Sequence, residues 1–229
     1  MDQEWITYQA WIAHFDILGF KSIINNDNDS LTLTILQNTI TKIIDDLKKD
    51  VSEFEENVEY LFYADTFIIY SKSERVNDYP GFIRVSKNFI NKCIYKRLPI
   101  RGAISYGELI LGHAKKILMG KAFLESYVYG EDQNWLGLIL TPSASRKLKE
   151  HGLEPVRHGF INRDIPMRKY SIFDEEIYAY FFINGSTNFQ CPLLPILKEM
   201  MQLSPNAEKA KYENTIKFIE RHYKVHKSS

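Results

Sequence analysis

A chain of 229 residues is long enough to bury one large core and still carry an appendage. Lysine plus arginine number 29 and aspartate plus glutamate 29, so there is no global field to gather nucleic acid or an anionic membrane surface, and phosphate recognition must be local. The two cysteines, Cys93 and Cys191, stand in apolar contexts without metal-ligand spacing, which argues against a disulfide scaffold and for a reducing compartment. The opening Met-Asp-Gln-Glu lacks the basic stretch and apolar run of a secretory leader, and no later run reaches membrane-spanning length. A soluble, cytoplasmic protein with neither nucleic acid nor membrane as partner is expected.

Taken in order, Ile6 to Ile17 alternates loosely between apolar and polar residues and predicts a buried strand ending near Asp16. A short helix is expected from Leu18 to Ile24, then a turn at Asn25 to Asp29, with Asp29 or Ser30 capping a long helix that runs to about Glu56. Val58 to Tyr63 and Phe67 to Ser71 read as strands joined at a tight tip, Ala64-Asp65-Thr66. Phe82 to Leu98 has helical spacing and stops at Pro99. Ile100 to Leu111 reads as a strand in which Gly102 and Gly107 mark bulges or close backbone approach. A helix from Gly120 to about Asp132, a strand from Trp135 to Thr141 and a short helix after Pro142 follow. Two strands are expected between Phe160 and Ile183, turning at Asp174-Glu175. Two helices then close the chain, Pro192 to Leu203 and Ala207 to about His226.

This order predicts an α+β fold, a ferredoxin-like, mostly antiparallel sheet with helices on one face. A boundary near Asn184 divides residues 1–184, the core, from a helical extension, 185–229, packed on the core or on a dimer.

The chemistry concentrates in two apolar runs that each contain one carboxylate, WIAHFDILGF (Trp11 to Phe20) with Asp16 and YLFYADTFIIY (Tyr60 to Tyr70) with Asp65. Burying an unpaired charge in such a run is costly, so a cation is expected between them. Gly19 and Phe20 follow closely on Asp16, where the backbone can turn and present amide N–H groups to a phosphate. Two carboxylates at adjacent strand ends suit Mg²⁺ or Mn²⁺, hard cations that accept oxygen ligands and let phosphates complete their shell. The competing structural roles are a helix cap for Asp16 and an Asx-type turn for Asp65.

Three segments, FDILGF (Phe15 to Phe20), YADTFIIYS (Tyr63 to Ser71) and RGAISYGE (Arg101 to Glu108), resemble in order and spacing the successive core motifs of class III nucleotidyl cyclases. The resemblance spans roughly Ile12 to Thr141. It implies a cyclase-like catalytic domain in which Asp16 and Asp65 ligate the metals and the Ile17 carbonyl adds a third ligand. It further implies that the amides around Leu18, Gly19 and Phe20 hold phosphate. The implied reaction is attack of the ribose 3′-hydroxyl of a nucleoside triphosphate on its own α-phosphate, giving a 3′,5′-cyclic nucleotide and pyrophosphate. Sites in that family form at the interface of head-to-tail dimers, so the resemblance also implies a homodimer.

The departures from the family pattern are specific. Ala64 replaces the glycine before the second aspartate, and Leu61 stands where adenylate-forming members carry a base-reading lysine. Leu124 and Val128 stand where the pattern has an asparagine and a transition-state arginine, which leaves Arg101, Lys115, Lys116, Lys121 and Arg146 as candidate cations. The segment Ser126 to Ala144, with Gln133, Trp135 and Gly137, is similar to a bacterial subgroup that includes the pyrimidine cyclases of Pycsar anti-phage systems. Those enzymes make cyclic UMP or cyclic CMP to switch on a toxic effector, so UTP or CTP is the expected substrate and a cyclic-nucleotide-responsive effector the downstream partner. Tyr63, Tyr106 or Phe62 are candidates to line the base pocket. Arg101 is the candidate catalytic cation, with Tyr63 and Lys121 as substrate contacts. The alternatives are a non-catalytic nucleotide-binding or dimerisation module of the same fold and a polymerase-type palm that joins nucleotides intermolecularly.

Overall fold

In the computed structural model, which describes residues 5–20, 30–50, 57–73, 75, 79–112, 117–168, 176–180 and 191–225, the apolar run Ile6–Ile17 forms the long strand β1 in the middle of the sheet. Because successive side chains of a strand point to opposite faces, Trp11, Ala13, Phe15 and Ile17 enter the large core. Ala10 and Ile12 enter a smaller cluster on the other face. His14 and Asp16 fall in register with that second, smaller face.

The remaining elements, in chain order, are α1 (Ser30–Asp50), β2 (Val58–Tyr63), β3 (Thr66–Ser71), α2 (Tyr79–Tyr95), β4 (Ile100–Gly112), β5 (Ile117–Met119) and α3 (Lys121–Glu131). They are followed by β6 (Leu138–Leu140), α4 (Pro142–Glu150), a 3-10 turn (Pro155–His158), β7 (Phe160–Ile161), β8 (Tyr178–Tyr180), α5 (Leu194–Leu203) and α6 (Asn206–Val225). The strands lie in the order β2-β3-β1-β4-β6-β8-β7, with β5 also paired to β4. Only the β4–β6 pairing is parallel among the described strands.

The α+β class and the mostly antiparallel sheet are as expected from the sequence. The structure adds that the helices occupy both faces. Helix α2 lies on the large-core face, where Phe89 packs 4.8 Å from Phe15 and 4.3 Å from Phe67, ring centre to ring centre. Helix α3 crosses the opposite face. Its buried residues Ala122, Ser126 and Gly130 recur every four positions, and they lie against the small residues of β4. The Ser105 hydroxyl donates to the Ala122 carbonyl, and a Cβ at Gly130 would stand 3.9 Å from that of Ala103. Small side chains on both surfaces let helix and strand approach closely, a signal without the apolar stripe that marks an ordinary core helix.

The expected strand from Trp135 begins only at Leu138. The indole of Trp135 folds back over Gly137, where a Cβ would stand 2.2 Å from the ring, so the chain bends there before it joins the sheet. Helix α6 closes over this bend. The Thr215 hydroxyl accepts the Leu136 N–H at 2.8 Å, Asn214 Nδ2 donates to the Asn134 carbonyl at 2.8 Å, and Phe218 packs on Trp135 at 4.6 Å. Leu197, Met200, Ile216 and Phe218 of the last two helices join the same buried cluster as Trp11 and Phe15. The helix expected beyond Phe20, the expected turn at Asn25 to Asp29, the expected extension of the long helix over 51–56, the expected turn at Asp174-Glu175 and the expected helix end at His226 lie outside the described residues.

Candidate active site

Strand register brings the first carboxylate to its neighbours. Asp16, one residue from the end of β1, pairs with Thr66 of β3 on one side and with Arg101 of β4 on the other. The second carboxylate arrives through a turn. Tyr63 pairs with Thr66, leaving Ala64 and Asp65 as a two-residue hairpin tip in which Ala64 has φ +54°. A first loop position with positive φ is the geometry of the tightest hairpins, and it is the reason glycine is favoured there. The Ile17 N–H donates to the Asp65 carbonyl at 2.9 Å, which ties the tip to the end of β1. Asp16 and Asp65 are thereby held at one end of the sheet.

The expectation was a cation between Asp16 and Asp65; within the chain a cation meets Asp16 alone. Arg101, with a side chain only 5% exposed, donates through Nε to Asp16 Oδ2 at 3.0 Å, and its Nη2 lies 2.9 Å from the same oxygen. Nη2 also meets Glu131 Oε1 at 2.7 Å, while Nη1 donates to the carbonyls of Glu131 and Gln133, each at 2.9 Å. A guanidinium carries five N–H groups; four hydrogen bonds and the ion pair of Nη2 with Asp16 direct all three nitrogens into the protein. Arg101 therefore fixes the rotamer of Asp16, with each of its three nitrogens committed to a protein oxygen. Gln133 completes the bracket by donating through Nε2 to the Gly102 carbonyl at 2.8 Å.

His14 lies two residues before Asp16 on the same face and is 2% exposed. Its Nδ1 has no hydrogen-bond partner, and its ring meets those of Tyr127 and Phe123 edge-on at 5.4 and 6.1 Å. Burial pushes its pKa down to about 4, although Asp16 pulls the other way; Arg101 adds to the depression and Asp65 opposes it. At neutral pH the imidazole is uncharged.

The other residues singled out in the sequence fall into two groups. Ile17, Leu18, Gly19 and Phe20 follow Asp16 directly at the end of β1, but the Leu18 N–H already donates to the Pro99 carbonyl at 2.9 Å. Gly19 has φ +74°, a left-handed turn suited to glycine, so the amides next in line for an anion are those of Gly19 and Phe20. Tyr63 stands on the Asp16 face, 82% exposed. Lys121 does not join them. It begins α3, whereas Glu131 at the other end touches Arg101, a separation of about 15 Å along the helix axis. Tyr106 and Phe62 point to the opposite face, toward Trp11 and Phe67. Leu124 is 60% exposed on α3. Arg146 pairs with Glu176, and Lys115 and Lys116 lie outside the described residues. Glu131 and His14 escaped the sequence reasoning, and Gln133 entered it only through the subgroup resemblance, not as a partner of Arg101; the arginine at the start of a strand opposite an aspartate was the signal that a second acceptor had to exist.

Among the described residues no group of three histidine, cysteine or acidic side chains could hold a metal ion. Two carboxylates with open neighbouring backbone are nonetheless what a partly hydrated Mg²⁺ or Mn²⁺ accepts, since substrate phosphates and water supply the rest of its shell. Asp16 keeps its second oxygen, Oδ1, without a partner among the described residues, and so does the whole Asp65 carboxylate. The donor set fits such an ion.

The fold is that of class III adenylyl and guanylyl cyclase domains. The adenylyl cyclase CyaB from P. aeruginosa matches with a TM-score of 0.56 at 11% identity, over 81% of this chain and 98% of that one. An adenylate/guanylate cyclase/hydrolase from Silicibacter pomeroyi gives 0.54 at 10% identity, over 77% and 98%. The catalytic core of a rhodopsin-guanylyl cyclase with converted specificity, in complex with ATPαS, gives 0.52 at 13% identity, over 64% and 84%. No protein-family model matches the sequence, and no curated protein is significantly similar to it. No helix among the described residues is long and apolar enough to cross a membrane.

Proposed function

We propose that the protein is a nucleotide cyclase that converts a nucleoside triphosphate to a 3′,5′-cyclic nucleotide and pyrophosphate. The juxtaposition of Asp16 and Asp65 at one end of a cyclase-type sheet carries this reading. Asp16, its Ile17 carbonyl and Asp65 would hold two Mg²⁺ or Mn²⁺ ions. When bound, these ions would lower the pKa of the attacking hydroxyl and neutralise charge on the phosphates and the departing pyrophosphate. Arg101 acts as a positioning residue that aims Asp16, with Glu131 and Gln133 as its anchors. The Gly19 and Phe20 amides bind phosphate oxygens.

The active unit is a homodimer. One face of the chain leaves Tyr63 82%, Leu124 60% and Tyr127 46% exposed, an apolar surface that a second copy would cover. Lys121 would then serve the partner's site, supplying a cation that no residue at Leu124 or Val128 provides. The substrate is UTP or CTP: Leu61 packs in the apolar cluster with Tyr70 and Ile12, so that position has no hydrogen-bond donor for an adenine nitrogen. The protein works in the cytoplasm, and its product serves as an anti-phage signal read by an effector.

The apolar pair on α3 favours one second reading, a nucleotide-binding or dimerisation module without catalysis. Mass spectrometry of products after incubation with each of the four nucleoside triphosphates and Mn²⁺ decides. A cyclic mononucleotide from UTP or CTP is expected. Products only from ATP or GTP overturn the base assignment, linear or cyclic oligonucleotides indicate a palm-type polymerase, and no product from any of the four supports the module.

A further inference from the structure

We propose that the cleft between α2 and the Pro155–His158 turn is a second binding site, specific for a phosphorylated small molecule of nucleotide size. The cleft has a volume of about 650 Å³, within the range of small-molecule pockets. It opens on the large-core side of the sheet, where α2 packs, while Asp16 and His14 stand on the opposite face beneath α3.

Charge and an unsatisfied buried group both point to a ligand. Arg84, Lys87 and Arg157 line the cleft, and among the described residues no acidic side chain does, in a chain whose net charge is zero. Lys87 is held inward: its ammonium donates to the His158 carbonyl at 2.9 Å and lies 4.9 Å from the centre of the Tyr180 ring. Burial lowers its pKa, so an anion beside it would recover part of the lost solvation of the charge. Deeper in, Asn91 is 6% exposed and donates through Nδ2 to the Tyr180 hydroxyl at 3.1 Å, while its Oδ1 has no partner. The hydroxyl can equally donate to a turned amide, and one polar atom of Asn91 remains for a ligand in either orientation. An orphaned buried polar atom costs stability unless something completes it. The three cations suit a phosphate group, the Tyr180 ring an organic body, and Asn91 a polar edge on that body. A bare inorganic ion would leave the last two unused.

The test uses the full chain in EDTA, which removes divalent ions from the Asp16 and Asp65 end, and equilibrium dialysis of UMP, AMP and inorganic phosphate. Saturable 1:1 binding of at least one nucleoside monophosphate, tighter than inorganic phosphate, is expected. It should weaken tenfold or more in the Arg84→Gln/Arg157→Gln double variant and in Asn91→Leu, and stay unchanged in Asp65→Ala. Thermal melts of the variants show that each still folds; loss of the fold in Asn91→Leu leaves the exposed double variant to decide. No saturable binding, binding that survives the double variant, binding lost in Asp65→Ala, or retention only on RNA or anionic vesicles would overturn the site. Because the assay involves no turnover, its failure is distinct from failure of the cyclase reading.

Discussion

Asp16 and Asp65 reach the same end of the sheet by opposite means. Asp16 is set inside a ladder, flanked on both sides by paired strands, 16% exposed and locked to Arg101. Asp65 sits on a hairpin tip whose backbone is pinned by one hydrogen bond from Ile17 and whose carboxylate has no partner among the described residues. One carboxylate is thus part of the protein's own electrostatic structure, and the other is available to an incoming cation at little structural cost. Such an end of the sheet stays folded with no added cation, because the charge that would be hardest to bury is already neutralised by a residue of the chain.

Substitutions at the two aspartates should therefore separate. Asp65→Ala and Asp16→Ala should each lower kcat/KM by about 10³-fold or more, the loss expected when several kcal/mol of charge stabilisation disappears. Only Asp16→Ala should also unfold at lower urea, by about 3 kcal/mol, because it strips a partner from the buried Arg101. Removing the other member of the pair, Arg101→Met, should cost roughly 3–5 kcal/mol in the same urea titration, since Asp16 and the carbonyls of Glu131 and Gln133 all lose their donor.

The next effect is a pH dependence. His14 has its pKa lowered from the ordinary 6.5 to about 4 by burial, so the unfolded chain binds a proton in that window that the folded chain refuses. Its contribution is intact above pH 6.5 and is lost as pH falls toward 4, by up to ~3 kcal/mol. His14→Phe should flatten the urea stability profile between those pH values. On the exposed face, Leu124→Glu should shift sedimentation from dimer to monomer and change the stability of the chain itself by no more than about 0.5 kcal/mol. The smallest effect belongs to the hairpin tip. Ala64→Gly should raise stability by about 0.5 kcal/mol, as relief of the positive φ outweighs the greater freedom of glycine in the unfolded chain.

The parts of the fold legible in the sequence are those specified by local chemistry. The run Ile6 to Ile17 and the Ala64-Asp65 tip were each marked by residues acting on their own neighbours, whereas the helix expected to run to Leu98 and stop at Pro99 ends at Tyr95, ahead of a left-handed Arg97. The bend at Trp135 was not legible, because it depends on an indole covering Gly137 and on Thr215, about eighty positions away, accepting the Leu136 N–H. The placement of α3 was hidden for a different reason: Ala122, Ser126 and Gly130 pack through closeness of approach, and small residues leave little trace in a hydrophobic pattern. The cost of burial led to the expectation of a cation between Asp16 and Asp65; within the chain Arg101 meets Asp16 alone. The same reasoning did not anticipate Arg101 as that partner, since its commitment to Glu131 and Gln133 arises from tertiary contacts. Gln133, Trp135 and Gly137 carried the resemblance to pyrimidine cyclases; here the Gln133 carbonyl accepts from Arg101, its side chain donates to the Gly102 carbonyl, and the Trp135 indole covers Gly137 at the bend before Leu138.

Pyrophosphate release from UTP and CTP, measured for wild type and Asp65→Ala over a Mn²⁺ titration, bears on the cyclase assignment at its root. Wild type should release pyrophosphate with a saturating dependence on Mn²⁺, while Asp65→Ala, with an unchanged thermal melt, should release none above background. Equal release by the two proteins, or release by neither, would contradict a catalytic site at Asp16 and Asp65.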